Sequence, residues 1–143
     1  MRRSLQTRMV NFADCDPAQF VYYPRYFEWF DRGTEMLFRA VGLKWEELFA
    51  AGEWSGVPLL DAGAKFMRPC RFGDTIEIES WIAEWRGRTF LVRHQVRNKG
   101  EVAVEGNELR AWTVLDKSRP AGIRAAPVPD EIVARFQASS PGT

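Results

Sequence analysis

The sequence is short of the residues on which metal and thiol chemistry usually rest: its 143 residues carry two cysteines, Cys15 and Cys70, and a single histidine, His94. Two cysteines are too few for a disulfide framework, and neither has a metal-ligand spacing with His94, so no zinc or other metal site is expected. Charge of one sign is missing as well. Twenty basic residues face 19 acidic ones, a balance that gives neither nucleic acid nor a membrane surface an electrostatic grip. No run reaches the roughly 18 to 20 apolar residues of a membrane span, and the opening MRRSLQTRMV lacks the apolar stretch of a signal peptide. The expectation is a cytoplasmic protein without nucleic-acid or membrane partners and without a cofactor.

What is present is core-forming material. Hydrophobic residues make up 45% of the chain and charged ones 27%, and a chain of this length buries roughly 68% of its unfolded surface. Residues 1–143 are therefore read as one domain. Ser4 to Phe12 has the residue types of a strand, followed by a loop containing Pro17 and Pro24. Pro24 suits a first helical turn, where a missing N–H costs nothing. The helix is expected from about Pro24 to Val41, stopping at Gly42. Arg25, Glu28, Arg32, Glu35 and Arg39 form one charged stripe, opposite Phe27, Phe30, Leu37, Phe38 and Val41, with Trp29, Gly33, Met36 and Ala40 as a second apolar row. So wide an apolar arc implies a helix that something wraps.

After a short helical segment, Lys44 to Ala51, the period changes to two. Ile76, Ile78 and Ile82 share one face of a strand, and Phe90, Val92, His94 and Val96 share one face of the next, with Gly87 in the turn between. Val57 to Pro69 and Glu101 to Leu115 are further strands, the latter changing phase near Gly106 as at a bulge. Arg119 to Pro129 reads as a loop or edge strand, Pro129 to Gln137 as a closing helix, and SSPGT as a frayed tail. Strand, long helix and four strands in a meander give an α+β domain, a curved antiparallel sheet around one central helix.

The segment DCDPAQFVYYPRYFEWFD, residues 14–31, together with IAEWRGRTFLVRHQV, residues 82–96, resembles the hotdog-fold acyl-CoA thioesterases of the 4-hydroxybenzoyl-CoA thioesterase type. The likeness runs from the first strand to about Leu115. It implies that Asp16 is the catalytic carboxylate, as nucleophile or as base for water, and that the backbone N–H around Tyr23 is an oxyanion donor. It also implies an acid of the helix, here Asp31, at the far end of the acyl pocket against a phenol hydroxyl. The basic EWRGR turn, with Arg86 and Arg88, is implied to hold CoA phosphates, although the family commonly has another basic residue where Gly87 stands. The implied assembly is a homodimer or homotetramer with shared sites, and an exposed antiparallel edge points the same way.

The chemistry agrees with the resemblance and leaves competitors. Thioester hydrolysis needs a nucleophile or base and donors aimed at the developing oxyanion, and a helix start supplies unpaired N–H groups and partial positive charge. Asp14 is expected to shape the loop through backbone hydrogen bonds; aspartates before helices are ordinarily caps or turn formers, and that reading also applies to Asp16. Asp31 either meets substrate or pairs with a neighbouring arginine. Cys15 reads as packing and His94 as a satisfied core residue. Tyr22 is a candidate substrate contact, or, like Tyr23 and Tyr26, a core aromatic with a wet hydroxyl. Gln19, where these enzymes usually have glycine, either narrows the pocket or adds an amide contact. Arg93 and Arg110 are candidate helpers for phosphate.

An aromatic acyl group, benzoyl or hydroxybenzoyl, is favoured. Tyr23 stands where the hotdog thioesterases associated with the Tol–Pal envelope system usually place histidine, so their short aliphatic preference transfers less well. A dehydratase or hydratase would need a histidine paired with an acid. A non-catalytic acyl-CoA binding module is the alternative outside enzymes.

Overall fold

The computed structural model describes residues 1–138; the tail Ser139 to Thr143, expected to fray, lies outside the described residues. The chain runs β1 (Arg3–Met9), a 3₁₀ turn (Phe12–Asp14), α1 (Pro24–Ala40), α2 (Trp45–Ala50), β2 (Trp54–Gly56), β3 (Leu59–Phe66), β4 (Thr75–Trp85), β5 (Thr89–Asn98), β6 (Glu101–Ala111), β7 (Thr113–Leu115), β8 (Ile123–Ala125) and α3 (Asp130–Gln137). An antiparallel sheet has the order β1-β4-β5-β6-β3, and a smaller one the order β2-β7-β8. Among the described residues, no helix is long and apolar enough to cross a membrane.

The helix begins at Pro24 as the sequence predicts and ends one residue early, at Ala40, with Gly42 at φ +82° turning the chain away. The hairpin is where the alternation puts it: Ile76, Ile78 and Ile82 point inward from β4, and Phe90, Val92, His94 and Val96 from β5.

Three expectations need correction. Only β4, β5 and β6 form a meander; β3 pairs with β6 instead of β4 and becomes the outer edge. The phase change in β6 comes at Ala103, the residue skipped between the Val96↔Val104 and Arg97↔Val102 pairs, and the pairing His94↔Gly106 is regular. The second apolar row of α1 is buried only at Trp29 and Gly33, while Met36 is half-buried and Ala40 exposed.

Gly106 has a different task. A Cβ there would lie 2.4 Å from Cε2 of Phe30, whose ring fills the space and stacks on His94 at 4.6 Å. Full burial of Phe30 contributes about 2 to 3 kcal/mol.

The core is in two parts. One cluster gathers Leu37, Phe38, Phe90 and Phe136; the other Val21, Tyr26, Trp29, Phe30 and Ile76. Buried polar residues also face α1 from the sheet: the pairings Ser4↔Ser80, Ser80↔His94 and His94↔Gly106 make one transverse row, and Glu108 and Arg110 follow Gly106 along the inner face of β6.

Candidate active site

The segment between β1 and α1 is a small hairpin built by its aspartates. Asp14 Oδ2 accepts from Asn11 N at 2.9 Å, and Asp14 N donates back to Asn11 O at 3.0 Å, so Asp14 shapes the loop as expected. Cys15 bridges to Val21, Tyr22 N donates to Asp14 O at 2.8 Å and Asp16 N to Phe20 O at 2.8 Å. Asp16 thus sits about 7 Å up this ladder from Tyr22, by the rise of two strand residues. Its Oδ1 accepts from Ala18 N at 2.9 Å and Phe20 N at 3.3 Å, whereas Oδ2 has no partner among the described residues. One oxygen shapes the turn and the other is available.

Cys15 is half-buried, and burial together with the charges of Asp14 and Asp16 pushes its thiol up, away from the thiolate a nucleophile needs. Gln19 takes the left-handed conformation, φ +69°, that favours glycine. Its side chain is exposed, and its carbonyl accepts from Phe72 N at 2.9 Å.

Where the hairpin ends, α1 starts. The N–H of Tyr23 finds no acceptor among the described residues, and it lies at the positive end of a 17-residue helix. Tyr22 and Tyr23 are 49% and 59% exposed. A groove of about 310 Å³ opens beside them, lined among others by Phe20, Tyr23, Tyr26, Phe66, Met67 and Arg68. Burial and the neighbouring Cys70 push the Tyr26 phenol far up, so it offers no base there.

Tyr23, Phe27 and Asp31 follow one another at intervals of four along α1, which puts them in one row. From Tyr23 to Asp31 is about 12 Å along the axis. At its end, Asp31 accepts from the buried Arg110 at 2.7 Å while its own carboxylate stays 59% exposed. The arginine pairing is therefore present, and the Asp31 carboxylate remains accessible beside it.

Arg110 cannot serve phosphate. It is 4% exposed and engaged by Glu108, Asp31 and Val57 O, because the alternation of β6 turns it inward. Arg93 is exposed and donates to Asn107 at 2.8 Å, one strand across. Arg86 and Arg88 are exposed at the β4–β5 turn, Arg86 pairing with Glu84 at 3.0 Å. That turn is at the opposite end of the sheet from the Asp16 loop, since Thr75 pairs with Met9 and β4 then runs ten residues, about 33 Å, to Trp85. One protomer does not bring the two together.

His94 is paired with an acid, Glu108, at 2.8 Å, the arrangement dehydration chemistry uses, but the two are only 1% and 2% exposed. Burial alone would raise the Glu108 pKa; hydrogen bonds from His94 and Arg110 outweigh it and hold it at about 2. The ionised Glu108 serves the core. Among the described residues, no cluster of three or more His, Cys, Asp or Glu could hold a metal. Sequence reasoning missed Glu108, Thr34 and Ser80; two charged residues at spacing two on the inner face of a strand were the available pointer.

Residues 10–136 match the profile of the thioesterase-like superfamily. The chain is 31% identical over 140 residues to 4-hydroxybenzoyl-CoA thioesterase of Pseudomonas sp. (strain CBS-3), covering 93% of this chain and 97% of that one. It is 27% identical over 105 residues to 1,4-dihydroxy-2-naphthoyl-CoA hydrolase of Prochlorococcus marinus (strain MIT 9303), covering 69% and 70%. Among solved structures, an Asp-to-Asn mutant of 4-hydroxybenzoyl-CoA thioesterase complexed with 4-hydroxybenzoyl-CoA superposes with a TM-score of 0.86 at 28% identity, over 95% of this chain and 99% of that one. A gentisyl-coenzyme A thioesterase follows at 0.78 and 27%, over 94% and 100%. With its antiparallel sheet around one long helix in the hotdog arrangement, the chain belongs to the thioesterase-like superfamily and is a thioester hydrolase.

Proposed function

We propose that the protein hydrolyses an aromatic acyl-CoA, hydroxybenzoyl- or benzoyl-CoA, to the free acid and CoA. The observation that carries this reading is the row Tyr23–Phe27–Asp31: an N–H donor, an aromatic floor and a carboxylate acceptor within about 12 Å. A single ring with a hydroxyl at its far end fills that span once a hydrogen bond of about 2.8 Å is counted at each end. Fused or aliphatic acyl groups fit it less well.

Oδ2 of Asp16 is the reacting oxygen in this scheme. It attacks the thioester carbon, or takes a proton from the water that does. Either way the C–S bond breaks, CoA leaves as the thiol, and water supplies the acid's second oxygen. The carbonyl oxygen becomes negative on the way, and the Tyr23 N–H, backed by the helix dipole, stabilises it there. Exposed Tyr22, next to Tyr23, and Gln19, whose N–H donates to Asp16 O at 2.9 Å, are the proposed substrate contacts beside the reacting carboxylate.

The phosphates need a second copy. β3 is an edge strand whose Leu59, Leu60 and Phe66 are 48%, 58% and 50% exposed, an apolar edge that calls for a partner. Antiparallel pairing of two β3 edges about a two-fold axis reverses one sheet against the other. The partner's β4–β5 turn, with its arginines, then stands at this protomer's Asp16 end. A homodimer, alone or as half of a tetramer, is the proposed unit.

The test is release of CoA thiol from benzoyl-, 4-hydroxybenzoyl- and short aliphatic acyl-CoA by wild type and by Asp16→Asn. Turnover of an aromatic thioester, reduced on the order of a hundredfold in the variant, is expected. Preference for the aliphatic thioesters would replace the substrate, and binding without hydrolysis would leave an acyl-CoA binding module.

A further inference from the structure

A buried guanidinium joins the middle of the sheet to the acyl end of the proposed site. Arg110 donates through Nη1 to Val57 O at 2.8 Å, and through Nη2 to Glu108 Oε2 and Asp31 Oδ1, both at 2.7 Å. Its Nε lies 3.3 Å from Glu108 Oε1. That oxygen also accepts from Thr34 Oγ1 at 2.6 Å and faces His94 Nε2 at 2.8 Å, while His94 Nδ1 lies 2.7 Å from Ser80 Oγ. Helix α1 and strands β4, β5 and β6 therefore all help fix the position of Arg110.

Glu108 alone balances the buried charge, and a buried ion pair needs its partners satisfied, which Glu108 and Val57 O largely do. The pairing with Asp31 is thus not required to bury Arg110. Nor does Asp31 need it for stability, since a largely exposed carboxylate gains little from an ion pair. What the contact does is geometric. It occupies Oδ1 and leaves Oδ2 without a partner among the described residues, at the end of the Tyr23–Phe27–Asp31 row.

We propose that Arg110 is a positioning residue for acyl selectivity, gripping Oδ1 of Asp31 so that Oδ2 is presented to a hydroxyl at the distal end of the acyl ring. This rests on the aromatic thioesterase reading above. A ring with the hydroxyl satisfies Oδ2; a ring without it covers the carboxylate, removes its water and returns nothing. An unpinned Asp31 swings out to solvent and the distinction fades.

The test compares kcat and KM for 4-hydroxybenzoyl-CoA and benzoyl-CoA in wild type, in Asp31→Asn, in the double variant Glu108→Gln/Arg110→Gln, which removes both buried charges together and orphans neither, and in the triple variant that combines all three changes. Wild type is expected to prefer the hydroxylated ring by about tenfold or more in kcat/KM, chiefly through KM. Asp31→Asn and the double variant each lose most of that preference, and the triple variant loses no more than either. A double variant that slows both substrates equally would make Arg110 a fold residue only, and additive losses would separate it from Asp31; either result overturns the proposal. Should the double variant fail to fold, Arg110→Lys is read the same way, since it keeps a cation for Glu108 but lacks the fork that reaches Val57 and Asp31 together. A wild type that hydrolyses neither aromatic thioester removes the functional reading and this proposal with it. One that hydrolyses both equally well leaves that reading and removes this proposal alone.

Discussion

Replacing Glu108 with glutamine tests the buried network through its pH dependence. Glu108 is 2% exposed and its carboxyl is held at about 2, against 4.5 when unperturbed. The difference, about 2.5 pH units, corresponds to about 3 kcal/mol at 1.36 kcal/mol per unit. Because the folded-state pKa is the lower one, this stability is fully present above the unfolded value and is lost as pH falls from about 5 towards 2. Glu108→Gln keeps the volume and one acceptor but cannot ionise, and Arg110 retains Asp31 as a counterion. The variant should therefore be less stable than wild type by about 2 to 3 kcal/mol at pH 7, less than the ~3 to 5 kcal/mol of an orphaned buried charge. With a urea slope near 2 kcal/mol per molar, the midpoint drops by about 1 to 1.5 M. Urea unfolding followed by tryptophan fluorescence at pH 7, 5 and 3 reads this directly. The gap between the two proteins should be nearly the same at pH 7 and 5 and clearly smaller at pH 3; a gap of constant size from pH 7 to 3, or none at pH 7, refutes the reasoning.

Other positions give sharper single outcomes. Gly106→Ala drives a methyl group into the Phe30 ring and should cost about 1 to 3 kcal/mol or more, seen as a lowered thermal midpoint. Gln19→Gly relieves the left-handed backbone, worth about 1 to 2 kcal/mol, at a chain-entropy cost of about 0.5 to 1, so the thermal midpoint should rise slightly; a fall would mean the glutamine side chain holds the loop. Leu60→Asp puts a charge on the β3 edge and should shift sedimentation towards the monomer with loss of turnover, whereas a fully active monomer would sink the shared-site scheme.

The parts of this fold that could be read from sequence are those where one local rule decides. Pro24 and Gly42 bound the helix because one lacks an N–H and the other accepts positive φ. The isoleucines of β4 fix their face because one side of that strand meets α1. The position of β3 at the outer edge could not be read, because alternation says which face is buried and nothing about which strand is the neighbour. Arg110 was misjudged for a related reason. Placing the phase change at Gly106 instead of Ala103 obscures which face the next residues take, and an arginine looks like a surface residue until its partners are known. Asp16 was legible through its motif, yet the division between a loop-forming Oδ1 and a free Oδ2 depends on the path of the backbone at Ala18 and Phe20.

The contact between Phe30 and Gly106 works like an indexing pin. The ring occupies a slot left by an absent side chain, with the His94 imidazole stacked against it. Sliding α1 by a turn would carry the ring out of the slot and against neighbours that do have side chains. Phe30 stands seven residues from Tyr23, about 10 Å along the axis, so the slot sets how far the helix projects beyond the sheet and the height at which its first free N–H emerges. Changes along the exposed charged stripe of α1 leave that height untouched. A side chain at position 106, remote from any reacting atom, does not.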